Sequence, residues 1–145
     1  MKIRLMTRDD VEAVAYWEKE IFTDAWTAGN FYESLKNPNA WMMVSVDEED
    51  HLTGYACIYH ALDEAELENI AVFPSYRRQN IAETMLTHAL LGLKDKGIER
   101  IYLEVRESNL SAQALYLKTG FEIVGMRKNF YDRPKEHAFV MMKEI

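Results

Sequence analysis

The clearest structural signal in this chain is the stretch Leu67-Glu68-Asn69-Ile70-Ala71-Val72-Phe73-Pro74-Ser75-Tyr76-Arg77-Arg78-Gln79-Asn80-Ile81-Ala82. It predicts the end of a strand, a short loop and a long helix that continues to Lys96 and ends at Gly97. A helix start exposes unpaired backbone N–H groups and the positive end of the helix dipole, which together bind anions. Because two arginines precede the helix, the loop is a candidate phosphate site; a basic loop that only caps a helix is an equally good interpretation. The loop has neither the glycine nor the Lys-Ser/Thr pair of a Walker sequence.

The hydrophobic pattern on both sides of this stretch alternates between strands and helices. Strands are predicted at Met1–Met6, Trp41–Val46, His51–His60, Ala65–Val72, Arg100–Val105, Phe121–Gly125 and Ala138–Lys143, and helices at Thr7–Phe22, Thr27–Leu35, Ile81–Lys96 and Asn109–Lys118. The early strands form an antiparallel meander, whereas the strand-helix-strand unit from Leu67 to Val105 implies a parallel pair with a right-handed crossover. We therefore expect an α/β fold with a mixed, mostly antiparallel sheet of about six to seven strands, a central parallel pair, and helices on both faces.

The composition limits the classes of function. The 145 residues suit a single domain spanning 1–145, and the one cysteine, Cys57, excludes a disulfide framework and a multi-cysteine zinc site. Cys57 lies in an apolar run, so we expect a buried structural thiol and no metal. The N-terminus lacks the apolar core of a signal peptide, and no apolar run approaches the roughly 20 residues that span a bilayer, so we expect a cytoplasmic protein without membrane contact.

The net charge of -7 argues against a broad nucleic-acid-binding face. It suits a cationic partner such as an amine or a basic peptide, although solubility alone explains the charge equally well.

A second candidate region is Leu103-Glu104-Val105-Arg106-Glu107-Ser108-Asn109, followed by a helix that carries Tyr116. Strand alternation places Glu104 on the face opposite Leu103 and Val105. Because helices are expected to cover the sheet, the pKa of the Glu104 carboxyl is expected to shift, which would suit a general base. The alternative is that Glu104 faces solvent and pairs with Arg106. Tyr116 shares one stripe of this helix with Ala112 and Leu115, and packing in the core with its hydroxyl at the surface explains it.

Taken together, these segments resemble the Gcn5-related N-acetyltransferase (GNAT) superfamily. The stretch from Arg77 to Ala82 fits the pattern Gln/Arg-x-x-Gly-x-Gly/Ala except at Asn80, and Asn109-x-x-Ala112-x-x-Leu115-Tyr116-x-x-x-Gly120-Phe121 is similar to the second motif of the family. A narrower likeness covers about Asp63 to Ile145 and concerns the RimI family, which acetylates the N-terminal alanine of a ribosomal protein, number eighteen of the small subunit. This likeness rests on Asp63-Glu64-Ala65, Asn69-Ile70-Ala71-Val72, Leu103-Glu104-Val105-Arg106, Ser108-Asn109, Ala114-Leu115-Tyr116 and Arg127-x-Asn129-x-Tyr131.

The resemblance implies acetyl-CoA as co-substrate and a role for each matching position. Backbone groups of Ile70, Ala71 and Val72 would pair with the pantetheine arm, which Asn109 would also contact. The pyrophosphate would lie in the loop formed by Arg77, Arg78, Gln79, Asn80, Ile81, Ala82 and Glu83. Glu104 would act as general base and Tyr116 as general acid, with the amine attacking the thioester directly in a ternary complex. Tyr131 would contact a peptide acceptor, or pack in the core as a strand residue.

Asn80 departs from the family pattern, which has glycine at this position. Asparagine is the non-glycine residue that best tolerates positive φ, so we expect the loop to keep its shape. Two other functions compete with the acetylation of a protein N-terminus. One is acetylation of a small amine, such as a polyamine or an antibiotic. The other is a non-catalytic acetyl-CoA-binding module, which Asn80 favours but which would need neither Glu104 nor Tyr116.

Overall fold

One seven-stranded sheet organises the chain, and the computed structural model describes residues 1–145. In sequence order the strands are β1 (Lys2–Leu5), β2 (Ala40–Val46), β3 (Leu52–Ala61), β4 (Glu64–Val72), β5 (Arg100–Arg106), β6 (Glu122–Asp132) and β7 (Lys135–Glu144). Their spatial order is β1-β2-β3-β4-β5-β7-β6, and every neighbouring pair is antiparallel except the parallel pair of β4 and β5. This arrangement confirms the predicted mixed sheet with a central parallel pair.

Helices cover both faces of the sheet, as predicted. The helices are α1 (Val11–Ile21), α2 (Ala28–Leu35), α3 (Ile81–Asp95) and α4 (Leu110–Lys118), with short 3-10 turns at Arg8–Asp10 and Pro74–Tyr76. Helices α3 and α4 bury Met85, Leu93 and Tyr116 against one face of the sheet. On the other face, α1 and α2 bury Val14 and Phe31. None of the helices combines the length and the apolar character that crossing a membrane requires.

Three helix ends have well-defined capping residues, and the end of α3 at Gly97 is as predicted, whereas α1 begins at Val11 rather than at Thr7. Thr27 and Asn30 exchange hydrogen bonds at the start of α2, where Thr27 Oγ1 accepts from the Asn30 amide at 3.2 Å and Asn30 Oδ1 accepts from the Thr27 amide at 2.9 Å. Gly97 ends α3 with a φ of 82°, a conformation that glycine adopts without steric cost. Asn109 caps α4, because its Oδ1 accepts from the Ala112 amide at 3.1 Å.

The parallel strands β4 and β5 pair only at their first residues and then separate, and this separation opens the centre of the sheet. Strands β4 and β5 pair only from Glu64 with Arg100 to Glu66 with Tyr102. On its other side β4 stays paired with β3 up to Val72, but the register shifts by one residue between Cys57 and Ile58 of β3. Because Cys57 pairs with Asn69 and Ile58 with Leu67, Glu68 is an extra, unpaired residue of a β-bulge. The C-terminal ends of β4 and β5 therefore diverge and leave space between them.

The last hairpin is longer than the sequence predicts. Strand β6 runs from Glu122 to Asp132 rather than from Phe121 to Gly125, and β7 runs from Lys135 to Glu144 rather than from Ala138 to Lys143. Strand β6 is the exposed edge of the sheet, so its polar half from Arg127 onwards lacks the apolar alternation by which strands are predicted. Its pairing is also interrupted between Arg127 and Tyr131, where Asn129 has a φ of 52°. The predicted boundaries of this hairpin were therefore wrong.

Candidate active site

The start of α3 presents a row of free backbone N–H groups. The first helical hydrogen bond runs from the Thr84 amide to the Asn80 carbonyl at 3.0 Å, and the amides of residues 78–83 have no acceptor within the chain. Arg78 and Asn80 both have positive φ, 65° and 58°, so the predicted tolerance of Asn80 for the left-handed region is confirmed. Successive amides around such residues form a concave nest that binds anions. The loop therefore has the backbone geometry of a phosphate site.

A groove of about 740 Å³ extends from this loop between β4 and α4. Nearly all the residues that the sequence predicts for the cofactor line it, namely Ile70, Ala71, Val72, Arg77, Arg78, Asn80, Ile81, Ala82, Glu83 and Asn109. Gln79 is the exception, because it does not line the groove. At the mouth of the groove, Lys118 of α4 forms an ion pair with Glu83 of α3 at 3.0 Å.

The edge of β4 that faces the groove has free hydrogen-bonding groups. The Phe73 amide donates to the Thr53 carbonyl at 2.8 Å, which fixes the phase of the antiparallel ladder between β3 and β4. In this phase the backbone groups of Ala71 point towards β3, whereas those of Ile70 and Val72 point to the open edge. The Val72 carbonyl there accepts a hydrogen bond from Arg77 Nε at 3.3 Å, so the Val72 amide and the backbone groups of Ile70 are the free ones. An extended ligand lying in the groove can therefore add to β4 as a further strand.

A second cavity of about 220 Å³ lies where β4 and β5 diverge. Its polar and ionisable lining comprises Glu18, Thr23, Asp24, Glu68, Asn69, Glu104, Arg106, Asn109, Tyr116 and Tyr131. Glu104 contacts the Arg127 guanidinium at 3.3 Å and does not pair with Arg106, so the alternative interpretation of Glu104 had the wrong partner. We call this cavity the acceptor cleft.

Tyr131 and Arg106 form one wall of the acceptor cleft. The Arg106 guanidinium lies over the Tyr131 ring at 4.2 Å and contacts carboxylates of Asp24 at 3.0 Å and Glu136 at 3.1 Å. Burial, followed by the charge of Glu104, raises the pKa of Tyr131 to about 12. Tyr131 is therefore a half-buried cleft residue with a neutral phenol, and Arg106 is already neutralised by its own partners.

The groove and the acceptor cleft meet at Tyr116. Both cavities are lined by Phe22, Ile70, Asn109, Ala112 and Tyr116. Only 7% of Tyr116 is exposed, and burial, followed by the neighbouring Tyr131, raises the pKa of its hydroxyl above the ordinary value. The phenol therefore holds its proton at neutral pH, at the junction of the two cavities. This position suits the delivery of a proton to a leaving group.

Glu18 lies within the helix predicted at Thr7–Phe22 and was not recognised as a site residue, yet it lines the acceptor cleft and links four segments of the chain. It is 1% exposed, and its carboxylate accepts from Tyr55 Oη at 2.6 Å, Asn69 Nδ2 at 2.7 Å and the Trp26 amide at 3.0 Å. These bonds tie α1 to β3, to β4 and to the segment before α2. A glutamate at an apolar position of a helix is the signal that could have identified it, since a buried carboxylate needs several donors.

Glu68 was also missed, because in sequence it belongs to an alternating row of strand glutamates. Glu68 is exposed as a whole residue, but desolvation of its carboxyl, a hydrogen bond with Glu66 and the charges of Glu66 and Glu104 raise the pKa of Glu68 to about 7. Nothing in the local sequence indicates the bulge.

Cys57, which pairs with Asn69 at the bulge, is fully buried, as predicted, and burial raises the pKa of its thiol. The chain has no group of three or more potential ligands arranged for a metal ion.

The nest of amides suits a phosphate-bearing ligand and the open strand edge suits an extended one. The ionisable cleft that meets them at Tyr116 suits proton transfer to or from a second substrate, so the site fits a group-transfer enzyme. Residues 11–121 match the Acetyltransferase (GNAT) family. The chain belongs to this family and is an N-acetyltransferase. GNAT acetyltransferases use acetyl-CoA.

Similar proteins narrow the comparison. A Bacillus subtilis protein, provisionally named a [ribosomal protein bS18]-alanine N-acetyltransferase, is 41% identical over 99% of this chain and 95% of its own length. The [ribosomal protein bS18]-alanine N-acetyltransferase of Haemophilus influenzae is 36% identical over 91% of this chain and 90% of its own. The crystal structure of the ribosomal-protein-S18-alanine N-acetyltransferase from Escherichia coli superposes with a TM-score of 0.90 at 29% identity, covering 99% of this chain and 93% of that one.

Proposed function

We propose that this enzyme transfers the acetyl group of acetyl-CoA to the α-amino group of the N-terminal alanine of ribosomal protein bS18. The observation that carries the proposal is the meeting of the groove and the acceptor cleft at Tyr116, with Glu104 in the cleft. Relatives named for this reaction, matched over nearly the whole chain, support the choice of acceptor. Such an acceptor would place the enzyme in the cytoplasm.

The free amides of residues 78–83 would hold the pyrophosphate of acetyl-CoA, with the arginines at 77 and 78 adding positive charge. The backbone groups of Ile70 and Val72 at the open edge of β4 would bind the pantetheine arm, and Asn109 would contact it from α4. Because the side chain of Asn109 caps α4 through its Oδ1, only its Nδ2 is free for this contact. This arrangement would bring the thioester to the junction of the two cavities.

In the reaction, Glu104 would accept a proton from the α-ammonium of the acceptor, directly or through one water. The α-amino group has an ordinary pKa of about 8, so modest assistance exposes its lone pair for attack on the thioester carbonyl. The Val72 N–H would donate to the carbonyl oxygen as negative charge develops there. Tyr116 would then give its proton to the sulfur of coenzyme A as the carbon–sulfur bond breaks. The second proton that the attacking nitrogen loses would pass to solvent, from which Tyr116 is reprotonated. The products are the acetylated N-terminus and free coenzyme A.

Four carboxylates, Glu18, Asp24, Glu68 and Glu104, line the acceptor cleft together with one guanidinium, that of Arg106. This excess of negative charge suits a cationic N-terminus. Tyr131 lies where it would contact the first residues of the peptide. Polyamine acetylation fits the same charge and is the rival outcome of the test.

The test compares acceptors with acetyl-CoA at a fixed concentration. We expect acetylation of a synthetic peptide that begins with the first residues of bS18, and none of the same peptide with a pre-blocked N-terminus. Mass spectrometry of the peptide fragments locates the added acetyl group on the α-nitrogen. Acetylation of spermidine with no reaction of the peptide would overturn the proposal.

A further inference from the structure

The β-bulge turns Glu68 towards the acceptor cleft. Before the bulge, Leu67 packs into the core cluster beneath α3 and α4, and after it Ile70 packs against the same cluster. In a regular strand, residues 67 and 70 would lie on opposite faces. The extra residue of the bulge shifts the alternation by one, so the two lie on the same face. Glu68 and Asn69 therefore share the face towards α1, as the bond from Asn69 to Glu18 shows.

Glu68 and Glu104 lie on the two sides of the cleft at corresponding positions. The register of the parallel pair, extended from Glu66 with Tyr102, sets Glu68 beside Glu104 at the point where the strands have separated. Glu104 lies on the same face as Glu68, because Leu103 and Val105 on either side of it are buried in the opposite cluster. Both carboxylates line the acceptor cleft.

Glu68 has no cationic partner within the chain. Glu104 contacts Arg127, and Arg106 is shared by Asp24 and Glu136, but no lysine, arginine or histidine forms an ion pair with Glu68. The neighbouring Asn69 adds a buried acceptor, since its Oδ1 has no hydrogen-bond partner. The wall of the cleft around the bulge thus holds a carboxyl without a cationic partner next to an amide oxygen without a hydrogen bond.

We propose that Glu68 is a specificity-determining residue that binds a second positive charge of the acceptor, the basic side chain that follows an N-terminal alanine. This inference rests on the proposed function. Alanine is too short to carry charge, so the second residue is the nearest that can bring a cation alongside the α-ammonium. Glu104 would then serve the reacting amine, while Glu68 holds the neighbouring guanidinium or ammonium through a charge-assisted hydrogen bond.

The preference for such acceptors depends on pH. The pKa of Glu68 is raised to about 7, so its carboxyl is mostly protonated and neutral at lower pH, and ionised at higher pH. Only the ionised form attracts a cation strongly, so the preference for a basic second residue rises as the pH increases through about 7. The other ionisable groups near this position are Glu66 of β4, Glu104 and Arg106 of β5, Cys57 and Tyr59 of β3, Glu18 of α1, Asp24, Tyr116 of α4, and Arg127 and Tyr131 of β6.

The experiment uses two peptides that begin Ala-Arg and Ala-citrulline and are otherwise identical. Citrulline keeps the shape of arginine without its charge, and the ratio of the two kcat/KM values cancels the titration of the common α-amine. We expect the parent enzyme to prefer the arginine peptide roughly tenfold above pH 8, mainly through KM, and less at pH 6. Glu68→Gln should bring the ratio towards one and remove its pH dependence.

Glu122→Gln is the matched control, because it removes one negative charge from exposed β6 outside both cavities. It should keep the parent ratio at every pH. A parent ratio near one across the pH range, or an unchanged ratio in Glu68→Gln, overturns the role of Glu68 while the proposed function stands. If the parent enzyme acetylates neither peptide, the proposed function fails and this inference fails with it. Should Glu68→Gln not fold, the pH dependence of the parent ratio still decides.

Discussion

The groove and the acceptor cleft differ in what they are made of. The groove presents backbone groups, the amides of residues 78–83 and the open edge of β4 at Ile70 and at the Val72 amide. The acceptor cleft presents side chains from α1, β4, β5 and β6, and carboxylates predominate among them. A backbone site depends on local conformation and tolerates changes of side chain, whereas a side-chain site depends on the identity of each residue. The two should therefore respond to substitution in opposite ways.

The largest effect is expected at the junction and in the cleft. Glu104→Gln and Tyr116→Phe each remove one proton transfer and should lower kcat on a bS18-type peptide by roughly a hundredfold to ten-thousandfold. Both variants leave the groove backbone intact, so the Kd for acetyl-CoA, measured by calorimetry, should change by less than about threefold. If the groove is a backbone site and the acceptor cleft a side-chain site, both variants lose turnover but still bind acetyl-CoA.

Tyr102→Phe provides the control for this experiment. Tyr102 precedes Glu104 by two residues on the same face of β5, but it lines neither cavity. It should keep nearly full activity. Full activity of Glu104→Gln and Tyr116→Phe would sink the roles assigned to these two side chains. Loss of acetyl-CoA binding in either variant would instead show that the groove depends on the cleft.

An intermediate effect is expected from the conformation of Asn80. Its side chain makes no hydrogen bond, and its φ of 58° and ψ of 25° lie in the left-handed region. In the variant Asn80→Ala, the left-handed conformation costs roughly 1–2 kcal/mol. The loop should relax away from this conformation, distort the nest and weaken acetyl-CoA binding by about tenfold. Asn80→Gly satisfies the same conformation and should bind at least as tightly as the parent enzyme. Equal Kd values for the alanine and glycine variants would contradict a backbone origin of the affinity.

The difference between a site made of neighbouring residues and one made of distant segments also explains which features could be predicted from the sequence. Strand-then-helix order, Arg77 and Arg78, and the tolerance of Asn80 for positive φ are local properties, so the nest followed from residues next to one another. The face of β5 that carries Glu104 likewise followed from alternation, and Leu103 and Val105 are buried as expected. The structural elements were predicted well wherever one face of the element is buried.

The acceptor cleft was only partly predictable, because its geometry arises between distant segments. The bulge at Glu68 depends on how β3 registers with β4, and no local pattern marks it. Arg127 approaches Glu104 from β6, whose second half was not recognised as a strand. Glu18 receives donors from residues 8, 37 and 51 positions away, Trp26, Tyr55 and Asn69. Such contacts follow from topology rather than from periodicity.

The smallest effect is expected from removing a side chain of the nest. Arg78 is exposed, and it pairs with no acid of the chain, so its guanidinium would act on the pyrophosphate as a screened surface charge. Arg78→Ala should raise the Kd for acetyl-CoA about two- to fivefold at low ionic strength, and less at 0.5 M salt, a concentration at which screening shortens the range of surface charges to a few ångströms.

Lys94→Ala, at the opposite end of the same helix, removes an equal charge and should leave the Kd unchanged. A loss of more than roughly fiftyfold in Arg78→Ala would exceed what one exposed charge supplies, and the groove would then be a side-chain site like the cleft. An unchanged Kd at low salt would place the guanidinium beyond the reach of the phosphates. A small, salt-dependent loss is what a nest made of amides requires, because the N–H groups of residues 78–83 persist when the side chain is cut back.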